Sequence, residues 1–130
     1  MLNNKRLVMM IDDNEIDLKI NSKVVTIAKL FDEIIICMSG TEGMDYLNKH
    51  IQNQERLPGY ILLDIQMPDM NGFDFLEQYK RLPKDFTANC QVIMLSSSLD
   101  FGDIKRAEAN PYVVKLLRKP LSPTELAQLL

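Results

Sequence analysis

Histidine occurs once and cysteine twice in this chain of 130 residues, and no apolar run approaches the roughly 20 residues needed to cross a bilayer. No secretory core ending in small residues stands near the N-terminus, so a cytoplasmic protein with no membrane partner is expected. A basic face is also missing. Fifteen Lys and Arg stand against 18 acids, the net charge is -3 and the pI is near 5.1. The pairs Lys5-Arg6 and Lys80-Arg81 are too small to neutralise a phosphate backbone, so this segment is not expected to bind nucleic acid. Cys37 and Cys90 fall in separate predicted strands and suit buried reduced thiols better than a stapled secreted fold. His50, on the second predicted helix, reads as an exposed side chain rather than a catalytic one. Repeats, low-complexity tracts and linkers are absent, which predicts one domain over residues 1–130.

What is present is an alternation of two periods. Leu7 to Ile11 is an unbroken apolar run of strand length. Asn14 follows as an N-cap candidate with Asp17 three residues on, and Ile16, Ile20, Val24, Ile27 and Phe31 recur at helical spacing. The pattern repeats as strand 33–38, helix 41–53, a polar loop over 52–58, strand 60–63, helix 73–81, strand 91–95, helix 100–109, strand 113–117 and a helix opened by Ser122-Pro123. Met9, Met10, Met38 and Met94 fall in predicted strands and read as core fillers. Five strands alternating with five helices require crossover connections, hence an α/β doubly wound parallel sheet, with flavodoxin-like order 2-1-3-4-5 expected. The last helix reaches Leu130 only about two turns after its start, short for a final packed helix, which points to a natural sequence that continues.

Carboxylates close the strands. Asp12 and Asp13 follow the first run and Asp64 ends the third, and in the expected order these strands are neighbours. Three carboxylates converging on one crevice repel one another, and a hard divalent cation relieves them, with Mg²⁺ the natural occupant. Strand 4 ends in Ser96-Ser97-Ser98 and the strand 5 region in Lys119-Pro120, which supply a hydroxyl and an ammonium at the same rim, donors for a phosphoryl group. Each residue alone has a plainer reading: acids and serines cap helices, and a lysine is commonly a solvated surface residue.

Together these residues resemble the receiver domain of two-component response regulators. The matching residues are Asp12-Asp13, the run Asp64-Ile-Gln-Met-Pro-Asp-Met-Asn-Gly72, Ser96 and Lys119-Pro120, in order along essentially the whole chain. The resemblance implies that Asp64 accepts a phosphoryl group from a histidine kinase or phosphotransfer protein, and that the domain catalyses only its own phosphorylation and dephosphorylation. Asp13, Asp64 and the backbone carbonyl of Gln66 would bind Mg²⁺, with Asp12 acting partly through water, while Lys119 and Ser96 would contact the phosphoryl group. Pro68 and Gly72 would shape the loop after strand 3, Gly72 through conformations closed to other residues. Lys119-Pro120 would be a cis peptide. Tyr112-Val-Val-Lys115 imitates the family's strand 5 ending, but Leu follows Lys115, so Lys119 is the expected lysine.

The resemblance further implies a change on the face made by the fourth helix, fifth strand and fifth helix, read by a protein partner of unknown identity or by a second copy in a homodimer. Leu116 stands where the family carries an aromatic switch residue, which puts that rotamer mechanism in doubt. Ser97 leaves access for the phosphodonor, and Gln66 and Ser98 would line the path of hydrolytic water and set the phosphate lifetime. Two other readings stay open: a folded but unphosphorylated interaction platform, and a Mg²⁺-dependent phosphohydrolase with an aspartyl-phosphate intermediate. Such hydrolases commonly carry a second acid where this chain has Gln66.

Overall fold

Every residue of β1 (Leu7–Ile11) is buried, as an unbroken apolar run must be in a sheet covered on both faces. The computed structural model of the protein describes residues 6–130. After β1 come α1 (Glu15–Ala28), β2 (Glu33–Cys37), α2 (Gly40–His50), a 3₁₀ turn (Gln54–Arg56), β3 (Tyr60–Asp64), α3 (Gly72–Tyr79), a one-turn α4 (Lys84–Thr87), β4 (Gln91–Ser96), α5 (Phe101–Ala109), β5 (Val113–Arg118) and α6 (Pro123–Leu129). The strands form a five-stranded parallel sheet in the order β2-β1-β3-β4-β5. Successive side chains of β1 feed opposite cores. Val8 and Met10 pack with Leu18 and Val25 of α1 and Leu126 of α6, while Met9 and Ile11 pack with Leu47 of α2 and Phe75 and Tyr79 of α3.

The structure departs from the sequence reading in several places. Among the described residues there are six helices, not five: α4 was missed because four residues cannot display a helical period, and it forms where Phe86 and Thr87 are buried behind Pro83. Met38 lies beyond the end of β2 and is exposed, so it is not core. His50 is half-buried, its ring centroid 4.4 Å from that of Tyr46.

A further departure concerns α1. Ile16, Ile20 and Ile27, expected to face inward, are 68%, 45% and 72% exposed, and the buried residues are Leu18, Asn21 and Val25. The inward stripe carries a polar residue because the Asn21 side-chain oxygen accepts the backbone N–H of Leu121 at 3.0 Å. A satisfied buried amide lowers the apparent hydrophobicity of the face that packs. Asn14 caps α1 by accepting the N–H groups of Ile16 and Asp17. Cys37 and Cys90 are buried and in no disulfide, Cys90 just ahead of β4.

Candidate functional site

β1 and β3 run side by side with Ile11 opposite Leu63, so Asp12 and Asp64 emerge together at the carboxyl edge of the sheet. This is the point where strand order reverses, the usual ligand crevice of an open α/β sheet. One carboxylate oxygen each from Asp12, Asp13 and Asp64 falls within a group spanning 4.8 Å. Asp12 and Asp64 are buried and Asp13 is exposed, which leaves the cluster open on one side. The Asp12 turn is fixed by its N–H donating to Cys37 O at 3.1 Å and its Oδ1 accepting from Asn14 N at 2.9 Å.

Lys119 reaches the acids from the end of β5. Its backbone N–H donates to Ser96 O at 2.8 Å, and the Lys119-Pro120 bond is cis. Its Nζ lies 2.8 Å from Asp12 Oδ2, 3.0 Å from Asp17 Oδ2 and 3.2 Å from Asp64 Oδ1. Lys115, in contrast, is exposed on β5. Burial alone would pull the ammonium down, but contacts with Asp12 and Asp17 and the charge of Asp64 outweigh it and hold Lys119 above the usual lysine range. For Asp64 the balance falls the other way. Burial, then the neighbouring Asp12 charge, push it up to about 6 against the opposing pull of Lys119.

The donor set suits a hard cation. All three acids offer oxygen, and buried Asp12 Oδ2 has the ammonium nearby without an aligned hydrogen bond, so it retains acceptor capacity. Gln66 is exposed in the loop two residues beyond Asp64. Ser96 is buried, and its hydroxyl donates to Ser98 O at 2.5 Å while accepting from Ser98 N at 3.2 Å, so it is engaged within its own loop. Ser97 and Ser98 are exposed. Leu116 is half-buried against the core that holds Tyr79 and Met94.

Gly72 does not serve through unusual backbone angles, since among the described residues no glycine has positive φ. Space is its role. A Cβ there would stand 2.7 Å from the backbone oxygen of Asp64 and 2.8 Å from Met94 Cε. Gly72→Ala is therefore expected to destabilise the fold by about 1–3 kcal/mol, by overpacking the segment that carries Asp64, and a thermal melt checks this. The residue the sequence reading missed is Asp17. It was placed as an N-terminal helix acid, yet its carboxylate reaches Lys119. The available signal was the pair Asp17 and Asn21, polar and one turn apart, beside the stripe of Leu18 and Val25.

Comparison with known proteins agrees with this geometry. The sequence pattern of the response regulator receiver domain matches residues 8–130. A two-component response regulator from Cytophaga hutchinsonii has a similar crystal structure, with a TM-score of 0.90 at 31% identity, covering 98% of this chain and 95% of that one. An uncharacterised response regulatory protein of Staphylococcus epidermidis is 37% identical over 92 residues, 71% of this chain. The probable methanogenesis regulatory protein FilR2 of Methanothrix harundinacea is 28% identical over 92% of this chain. The chain spans 76% of the length of FilR2 but 33% of the staphylococcal protein. With the parallel sheet, the acid crevice and the matched pattern together, the chain belongs to the response regulator receiver domain family of two-component systems.

Proposed function

We propose that residues 1–130 work as one receiver unit in the cytoplasm, in which Asp64 accepts a phosphoryl group from a histidine kinase or phosphotransfer protein and a downstream protein reads the altered surface. The observation that carries this reading is the Asp64 carboxylate at the end of β3 with an ammonium 3.2 Å away and two further acids beside it. At neutral pH Asp64 is ionised even when pushed up to about 6, so it attacks phosphorus without a general base. The new bond is Asp64 Oδ to P. The bond from P to the donor imidazole nitrogen breaks, and its electron pair leaves with the imidazole.

Asp12, Asp13, Asp64 and the carbonyl of Gln66 would hold Mg²⁺, which when bound supplies positive charge to the transferring oxygens. Lys119 contributes N–H donors at the same place, and Ser96 joins when its hydroxyl leaves Ser98 O. Ser97 is small and leaves access to the donor. Gln66 and Ser98 offer no acid or base for the water that later attacks, so they set the lifetime sterically. Leu116, half-buried on β5 opposite Met94, would follow Ser96 and pass the change to the surface of β5.

Uptake of one phosphoryl group from acetyl phosphate tests the reading, followed by intact mass. Uptake should require Mg²⁺ and vanish in Asp64→Asn. Failure of the folded protein to take any with Mg²⁺ present would overturn it. The partner contact is expected on the exposed isoleucines of α1, which begins beside the acids. Ile20→Glu should slow transfer from a protein phosphohistidine about tenfold or more, as a charge placed within an apolar contact does, while leaving uptake from acetyl phosphate unchanged.

A further inference from the structure

The Lys119 ammonium has three N–H bonds, and three carboxylates surround it. Asp12 and Asp64 belong to the acid crevice, but Asp17 does not. Its side chain is 31% exposed against 5% for each of the others, so it is the partner on the solvent side. It also makes an aligned hydrogen bond with the ammonium, across 102 positions of sequence. One turn further along α1, buried Asn21 accepts the N–H of Leu121. α1 thus holds the segment 119–121 on both sides of Pro120.

A phosphoryl group on Asp64 stands outward of that carboxylate and needs an N–H from Lys119. It also brings close to two negative charges near the ammonium that Asp17 contacts at 3.0 Å. Hydrogen-bond competition and like-charge repulsion therefore act in the same direction. We infer that Asp17 is a positioning residue that competes with the phosphoryl group for Lys119, favouring the unphosphorylated form and linking loss of the Asp17–Lys119 contact to the first turn of α1. This rests on the phosphoacceptor role of Asp64.

The test is the affinity of the full chain for beryllofluoride, a phosphoryl mimic, at saturating Mg²⁺. Asp17→Asn keeps the shape and removes the charge, and it should bind about tenfold more tightly. Asp17→Glu keeps the charge and should stay near wild type. If Asp17→Asn fails to fold, Asp17→Ser makes the same comparison. In wild type the mimic should shift the amide resonances of Asp17 and Leu18. A purely structural role for Asp17 weakens binding or leaves it unchanged, and either result in a wild type that takes a phosphoryl group from acetyl phosphate overturns the inference alone. A wild type that takes no phosphoryl group and binds no mimic overturns the phosphoacceptor reading with it.

Discussion

Lys119→Met is expected to lower the unfolding free energy of the metal-free protein by about 3–5 kcal/mol, the cost of removing one partner from a buried ionic cluster. Methionine fills most of the space of the lysine stem, so the loss is electrostatic rather than a cavity. Among the described residues buried Asp12 and Asp64 would face each other with no cation in an ion pair, and Asp17 would lose its link to the segment after β5. Urea unfolding at pH 7 with a chelator present measures the effect. Adding Mg²⁺ should recover part of it, because a cation held by the acids replaces the lost positive charge. A loss below about 1 kcal/mol would mean that the acids behave as exposed groups screened by water.

Asp64→Asn should act in the opposite direction, stabilising the metal-free protein at pH 7. The folded protein pushes Asp64 up to about 6 from the ordinary carboxylate value of 3.8, mainly through burial and then the Asp12 charge. Well below pH 4 the carboxyl is protonated in both folded and unfolded chains and carries no penalty. Between pH 4 and 6 the folded form binds the extra proton, so wild-type stability falls as pH rises through that window. Above it the ionised group carries the full penalty, up to about 3 kcal/mol. The asparagine variant has no such titration. Its advantage should therefore be small at pH 4, grow to pH 7 and shrink when Mg²⁺ stabilises the wild type. An advantage independent of pH would assign the effect to packing.

These opposite signs describe a site whose acids are poorly accommodated without a cation, and this part of the molecule was legible in the sequence. Asp12, Asp13 and Asp64 each follow an apolar run, and a carboxylate after a buried strand has one place to go in a parallel sheet. The parallel sheet followed from the alternation of periods, because crossover helices leave few ways to arrange the strands, and the order 2-1-3-4-5 was the leading expectation among them. Helix orientation did not follow. On α1 the isoleucines at 16, 20 and 27 outweighed an inward stripe containing Asn21, and hydropathy cannot register that an amide is satisfied by Leu121 from across the fold. Asp17 escaped for the same reason: its partner is distant in sequence, and its position three residues after Asn14 offered a sufficient local role. Gly72 was recognised through the loop motif, but its function is to let the Asp64 backbone pass close by, a contact between segments that no local pattern encodes.

The central claim is that Asp64 carries the phosphoryl group, and the direct measurement is chemical localisation. After incubation with Mg²⁺ and acetyl phosphate, borohydride reduces an acyl phosphate to a primary alcohol while sparing free carboxylates. Peptide mass spectrometry should then find homoserine at position 64, and none there when Mg²⁺ is withheld. Homoserine at position 12 or 13 with Asp64 intact, or none in a folded protein supplied with donor and Mg²⁺, would contradict the account.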